Sequence, residues 1–217
     1  MKLSKRFEGE VMRVEILNEI ENGIRAISFL KEKESLEFIE KAAHVIATCY
    51  QKEKKVIIAG NGGSLCDAMH FSEELSGFFR EKRKALSAIA ISEQGFLSCV
   101  ANDVGYHYVF ERAVEAHGKK GDVFISLTTS GNSDNLVNAV NTAKKMGLTT
   151  ISFLGKDGGK QKGLSDLEWI VKGFVTSDRI QEAHMCAIHI LIQMVEKILF
   201  GGKEKLSQIM KQTISNS

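Results

Sequence analysis

The stretch that decides the fold is residues 55–64, KVIIAGNGGS. It begins with a short run of mainly β-branched residues, which is typical of a buried strand, and ends in a glycine-rich loop. A helical pattern of apolar residues follows from Asp67 to Phe79. Strand, glycine loop and helix in this order indicate one unit of an α/β fold.

A second stretch repeats this arrangement. Residues 122–133, DVFISLTTSGNS, contain an apolar strand and a loop of Thr, Ser and Gly, and a helix is predicted over 134–145. Further strands are predicted over 88–91, 149–154 and 168–171, and further helices over 106–115 and 179–199. Apolar strands that alternate with helices predict a parallel sheet between two layers of helices. The fold class is therefore α/β.

Two long amphipathic patterns precede the first strand, over residues 10–31 and 34–51. Helices in front of an α/β core more often serve packing or oligomer contacts than catalysis. We therefore predict an N-terminal helical extension over residues 1–52 and an α/β domain over residues 53–217, which act as a single functional domain.

Composition excludes several classes of protein. The chain has 217 residues with 29 Lys+Arg and 27 Asp+Glu, a net charge of +2, which is too balanced for a dedicated nucleic-acid binder. No uninterrupted apolar run reaches about 18 residues, so we expect no membrane span. Basic residues near the N-terminus lack the apolar run of a signal peptide, and the four dispersed cysteines form no CxxC pair. We expect a cytoplasmic location.

Both loops are candidate phosphate sites. In an open parallel sheet, ligands bind beyond the carboxyl ends of the strands, and free N–H groups at helix N-termini favour anions. Glycines allow close approach, and Ser64, Thr129, Ser130 and Ser133 add hydroxyl donors. Ordinary turns and helix caps have the same composition. Neither a Walker A motif nor G-x-G-x-x-G occurs, so a small phosphorylated molecule is favoured over a nucleotide.

His70 and Glu74 form a second candidate site. Four residues apart on a helix, they project from one face and could bind a divalent metal or transfer a proton. Each histidine taken alone is more typical of a surface or core position. On the last helix, Gln181 and His189 are eight residues apart, about 12 Å along a regular helix. We therefore hypothesise that another protomer completes any site that uses both.

Three blocks identify a family. Residues 59–75 (AGNGGSLCDAMHFSEEL), 129–133 (TSGNS) and 178–182 (DRIQE) closely resemble the phosphoheptose isomerases, which belong to the sugar isomerase (SIS) domain superfamily. The resemblance implies a flavodoxin-like three-layer sandwich. It also implies conversion of sedoheptulose 7-phosphate to D-glycero-D-manno-heptose 7-phosphate, the first step towards ADP-heptose and the lipopolysaccharide inner core. It further implies a cytoplasmic homotetramer with active sites at subunit interfaces and one zinc ion per subunit.

The resemblance also implies site residues. The zinc ligands would be His70, Glu74, Gln181 and His189. The substrate would contact Asn61, Gly62, Gly63, Ser64, Glu74, Asn102, Asp103, Thr128, Thr129, Ser130, Ser133, Asp178 and Gln181.

The chemistry assigns roles to two of these residues. Aldose–ketose isomerisation moves a proton between C1 and C2 through an enediol, so it needs a base and stabilisation of charge on oxygen. Glu74 is the expected base, and His189 the expected partner acid/base. A carboxylate bound to zinc is a poorer base, so Glu74 would bind the metal at rest and leave it when substrate arrives.

Three other functions compete. A non-catalytic SIS-domain tetramer that binds the replication initiator would lack the glutamate and the second histidine, which this chain has as Glu74 and His189. A sugar-phosphate-sensing regulatory domain would be accompanied by a helix-turn-helix or an amidotransferase domain, for which these residues leave no room. Isomerisation of a shorter ketose phosphate stays open, because the loops suit it equally well.

Overall fold

A computed structural model describes residues 2–80 and 82–201 of the chain. Its sheet has five parallel strands in the order β2-β1-β3-β4-β5. They are β1 Val56–Gly60, β2 Ala88–Ala90, β3 Val123–Leu127, β4 Thr149–Gly155 and β5 Leu167–Val171. The order reverses beside β1, so β1 and β3 end next to each other. The two loops that follow them therefore face one another.

Helices cover both faces of the sheet. They are α1 Lys2–Ser28, α2 Lys33–Gln51, α3 Gly63–Ser76, α4 Gln94–Asp103, α5 Val109–His117, α6 Asp134–Lys145 and α7 Ser177–Phe200. Alternate residues of the strands point to opposite faces. Ile58 belongs to a core shared with α2, α3 and α7, whereas Ile57 belongs to a core shared with α4, α5 and α6. The predicted three-layer α/β fold is confirmed.

The structure differs from the predicted elements in two places that affect the site. The helix predicted from Asp67 begins at Gly63, so the end of the glycine loop is itself the first turn of α3. Helix α4 was not predicted. The carboxylate of Glu93 caps it by accepting hydrogen bonds from the N–H groups of Gly95 and Phe96.

The two N-terminal helices differ in burial. Helix α2 lies in the core against α7 and the sheet. Helix α1 contacts α7, where Arg179 donates to the Glu19 carbonyl at 3.2 Å. It leaves a line of large apolar residues exposed along its length, comprising Met12, Ile16, Ile20, Ile24 and Ile27. The domain boundary at residue 52 stays a prediction, and residues 202–217 of the predicted domain lie outside the described part.

Helix α7 is long and apolar. By length and composition it is the one helix of the described residues that could cross a membrane. Its buried residues pack against α2 and the sheet, as those of a core helix in a globular protein do.

Candidate functional site

The two predicted loops enclose a cavity. It has a volume of about 160 Å³ and lies between the end of β1, the end of β3 and the start of α7. Its walls are formed by Asn61, Ser64, Leu127, Thr128, Thr129, Ser130, Ser133, Ser177 and Gln181. Helices α3, α6 and α7 all begin beside it, so the positive ends of three helix dipoles meet there. The arrangement suits a dianion such as phosphate.

Asn61 joins the first loop to the second unit. Its side-chain amide exchanges two hydrogen bonds of 3.0 Å with the amide of Asn135 on α6. The hydroxyl of Tyr106 donates a further bond of 2.9 Å to Asn61 Oδ1. The Asn61 side chain therefore holds the two loops together. The next residue, Gly62, has φ +56°, a backbone conformation that favours glycine.

The second loop, residues 129–133, packs against the turn that follows β4. The hydroxyl of Thr128 accepts a bond of 3.1 Å from the N–H of Gly131. Gly131 has φ +67°, and a Cβ there would lie 1.9 Å from the carbonyl oxygen of Gly158. Thr129 reaches across to α7, with its Oγ1 3.0 Å from Ser177 Oγ. The loop is thus fixed before any ligand binds.

His70, Glu74 and His189 form a cluster between the later turns of α3 and the middle of α7. Their ligand atoms all lie within 4.8 Å of one another. His70 Nε2 is 3.3 Å from Glu74 Oε1 and 3.4 Å from His189 Nε2. Two ligands bound at about 2.1 Å to a tetrahedral zinc ion lie about 3.4 Å apart. Two histidines and one glutamate are a donor set of catalytic zinc sites, so these residues fit a zinc ion.

The surroundings of the cluster favour uncharged groups. Burial, together with the nearby His70, lowers the pKa of His189, so its imidazole is held in the neutral form that binds metal. The Phe79 ring stacks on the His189 ring with centroids 5.8 Å apart. One turn before His70, burial raises the pKa of Asp67 to about 6. Its Oδ2 has no hydrogen-bond partner among the described residues.

Other predicted site residues lie apart from the cluster. Gln181 packs against Gly63 at the start of α3, where a Cβ would lie 2.6 Å from its Nε2. Asp178 is exposed at the start of α7, and hydrogen bonds to its carboxylate, chiefly from Thr176, lower its pKa. Asn102 and Asp103 end α4, bonded to each other at 2.7 Å, and neither lines the cavity.

Four residues at the site were missed in the sequence. Ser177 lines the cavity, Tyr106 bonds Asn61, Phe79 covers His189, and Asp67 lies one turn before His70. Asp67 could have been found, because it precedes His70 by three residues and shares its helix face. Ser177 directly precedes the block at residues 178–182, whereas Tyr106 and Phe79 reach the site from segments with no motif of their own.

Comparison with known proteins identifies the family. Residues 20–155 match the SIS domain family. The phosphoheptose isomerase of Fusobacterium nucleatum is 54% identical over 172 residues, which is 79% of this chain and 88% of that protein. Among solved structures, the phosphoheptose isomerase of Neisseria gonorrhoeae is 31% identical with a TM-score of 0.78, covering 86% of this chain and 99% of that one. That of Francisella tularensis is 28% identical with a TM-score of 0.81, covering 86% and 98%.

Proposed function

Because the chain belongs to the phosphoheptose isomerase family of SIS-domain proteins, we propose that it converts sedoheptulose 7-phosphate to D-glycero-D-manno-heptose 7-phosphate. This reaction opens the route to ADP-heptose for the lipopolysaccharide inner core. The observation that carries the proposal is the position of two sites on one helix. The N-terminus of α3 borders the cavity, and His70 and Glu74 project from its later turns.

The spacing of these sites supports a seven-carbon substrate. Gly63 and His70 are seven residues apart, which is about 10 Å along a helix. An extended chain advances roughly 1.2 Å per bond, since three bonds of backbone span about 3.3–3.6 Å. From C1 of a ketoheptose 7-phosphate to phosphorus there are eight bonds, or roughly 10 Å, whereas a pentose 5-phosphate spans roughly 7 Å. The longer sugar reaches both sites.

The phosphate would bind in the cavity. Ser64, Thr129 and Ser130 line it, and helices α3 and α6 begin beside it, which favours an anion. Gly62 and Gly63 keep the backbone of the first turn accessible. These contacts would hold the substrate by its far end and direct its carbonyl towards the cluster.

Glu74 and His189 would transfer the protons. The carboxylate of Glu74 would remove the proton from C1 and return it to C2, so that the C=O bond moves from C2 to C1. His189, neutral at rest, would move the hydroxyl proton between O1 and O2. The Glu74 side chain is 18% exposed, which leaves it open to substrate.

His70, Glu74 and His189 would hold one zinc ion per subunit. When bound, zinc polarises the carbonyl as a Lewis acid and stabilises charge on the substrate oxygens. Gln181 is the proposed fourth ligand. It lies about 12 Å along α7 from His189, so the proposal includes a second protomer that completes the site. Glu74 would bind the metal at rest and be released when substrate binds.

The exposed apolar line of α1 supports a homotetramer. Met12, Ile16 and Ile20 follow one another at four-residue spacing and are each more than half exposed. A second copy of the chain is the proposed occupant of this face, since burying it removes apolar surface from water. We propose a cytoplasmic enzyme whose partners are its own copies and a sugar phosphate, with no nucleic acid or membrane.

The test is NMR of the protein with sedoheptulose 7-phosphate in D₂O. Aldoheptose signals with deuterium at C2 are expected, because the proton that Glu74 takes from C1 exchanges with solvent while the enediol is bound. Glu74→Gln should abolish these signals, whereas Glu73→Gln, which alters the exposed neighbouring carboxylate, should retain them. Turnover of a shorter ketose phosphate in place of the heptose would refute the proposed substrate. No turnover of either sugar, with or without zinc, would favour the initiator-binding alternative.

A further inference from the structure

A buried ion pair lies between the two helices that carry the cluster. Arg83 Nε donates to Glu196 Oε1 at 2.7 Å, and the two side chains are 2% and 9% exposed. Arg83 comes from the segment between α3 and β2, and Glu196 from α7. Burying two charges costs free energy unless every donor of the guanidinium is hydrogen-bonded. The other hydrogen bonds of Arg83 therefore indicate the role of the pair.

The other donors of Arg83 bind the end of α3. Its Nη2 donates to the carbonyl of Glu74 at 2.8 Å, and its Nη1 donates to the carbonyl of Leu75 at 2.8 Å. Both carbonyls belong to the last turn of α3, whose oxygens have no partner within the helix. A cation at a helix C-terminus also interacts favourably with the helix dipole. Arg83 therefore caps the turn that carries Glu74.

Glu196 connects this cap to the other half of the cluster. It lies seven residues after His189, two turns along the same face of α7. The chain between α3 and Arg83 also carries Phe79, whose ring stacks on His189. The guanidinium is thus bonded to both helices, one of which supplies His70 and Glu74 and the other His189.

We propose that Arg83 and Glu196 are a positioning pair that sets the separation of α3 and α7 and so the geometry of the His70–Glu74–His189 cluster. The inference rests on the proposed function in taking this cluster as the reacting, metal-holding site. Metal ligands must sit within about 0.2 Å of their positions, so a small shift of one helix against the other disturbs binding. Neither Arg83 nor Glu196 contacts the cluster side chains themselves.

The experiment compares Arg83→Met, Arg83→Lys and the double variant Arg83→Met/Glu196→Met. Arg83→Met alone leaves the buried charge of Glu196 unpaired, which could unfold the protein. The double variant removes both charges and so keeps the fold. Lys55→Met is the matched control. It breaks another ion pair, with the buried Asp122, at the amino ends of β1 and β3. Each protein is tested for its unfolding midpoint, for Co²⁺ binding to the metal-free form, and by crystallography without metal.

In the Arg83→Met and double variants, we expect Co²⁺ affinity to fall about tenfold or more, as for other groups that orient metal ligands. We also expect the separation of the two Nε2 atoms to exceed 3.4 Å. Arg83→Lys should recover part of the affinity, and Lys55→Met should lower the midpoint alone. Unchanged affinity and separation in the double variant would overturn the inference. The crystallographic separation decides the inference even if the wild-type protein turns over no sugar, a result that would refute the proposed function instead.

Discussion

The Nε2 atoms of His70 and His189 lie 3.4 Å apart, although 119 residues separate the two histidines in the chain. Their helices, α3 and α7, pack side by side on one face of the sheet. Two imidazole nitrogens that face each other so closely, with the Glu74 carboxylate 3.3 Å from one of them, are arranged as ligands are around a cation.

Replacing Glu74 by Gln should lower kcat by about 10²–10⁴-fold, because the amide cannot accept the proton from C1. Steady-state kinetics with sedoheptulose 7-phosphate measure the change. Glu73→Gln is the control, since Glu73 is 65% exposed and 3.7 Å from His70. Equal losses in both variants would contradict the role of Glu74 as the base.

Removing metal with a chelator should abolish turnover, and added Zn²⁺ or Co²⁺ should restore it. The ligand atoms of His70, Glu74 and His189 lie within 4.8 Å of one another. Their lone pairs repel unless a cation or a proton lies between them. Metal content by atomic absorption must be measured alongside the rate. Full activity in metal-free protein, or inhibition by added zinc, would argue against a catalytic metal.

Gly131→Ala should destabilise the fold by roughly 3 kcal/mol, at the upper end of single substitutions. Its Cβ would meet the Gly158 oxygen at 1.9 Å, in addition to the strain of φ +67°. Gly163→Ala is the matched control, because Gly163 has φ +82° with nothing within 4 Å. That variant should lose about 1 kcal/mol from backbone strain alone. Urea unfolding measures both, and equal losses would mean that the close contact is relieved by a shift of the loop.

We expect the free energy of unfolding of the protein to fall in acid because of His184. This imidazole is fully buried, and its Nε2 donates to the Leu154 carbonyl at 3.0 Å. Burial lowers its pKa to about 4. In the unfolded chain the pKa of this histidine is about 6.5. Between the two pKa values, the unfolded state therefore binds a proton and the folded state does not. The contribution of His184 to the free energy of unfolding is fully present above about pH 6.5. It is lost as the pH falls to about 4, a total loss of roughly 3 kcal/mol.

Urea unfolding of the wild-type protein and of His184→Gln between pH 7 and pH 4 measures this contribution. The variant should show a smaller fall in unfolding free energy over that interval, whatever its stability at pH 7. The same pH dependence in both proteins would show that carboxylates, rather than His184, cause the acid sensitivity.

Ile20→Glu should dissociate the proposed tetramer, because it places a charge in the middle of the apolar line of α1. Ile20 is 51% exposed in the single chain. Leu36→Glu on α2 is the control, since Leu36 is 57% exposed and lies outside that line. Light scattering after size exclusion gives the mass of each variant. A tetramer that survives Ile20→Glu, or a wild-type monomer that is active, would contradict assembly through α1.

Most elements follow from local pattern. The strand and loop at residues 55–64 and the helix Asp134–Lys145 were predicted within one or two residues, because apolar period and glycine placement are local properties. Helix α4 was missed, since a short helix capped by Glu93 has little periodicity to detect. The start of α3 was placed four residues late, because glycine and serine in a first turn read as loop.

The sequence by itself determined the α/β class, the two loops for which we propose phosphate binding, and the His70–Glu74 pair, since each depends on residues close together in the chain. The tertiary structure alone decided three further features. It brought His189 to His70, it joined the two loops through Asn61 and Asn135, and it inserted Arg83 between α3 and α7. The physical reason is that strand order and helix packing, which set distances between remote segments, arise from burial of the whole core and leave no trace in the spacing of any one segment.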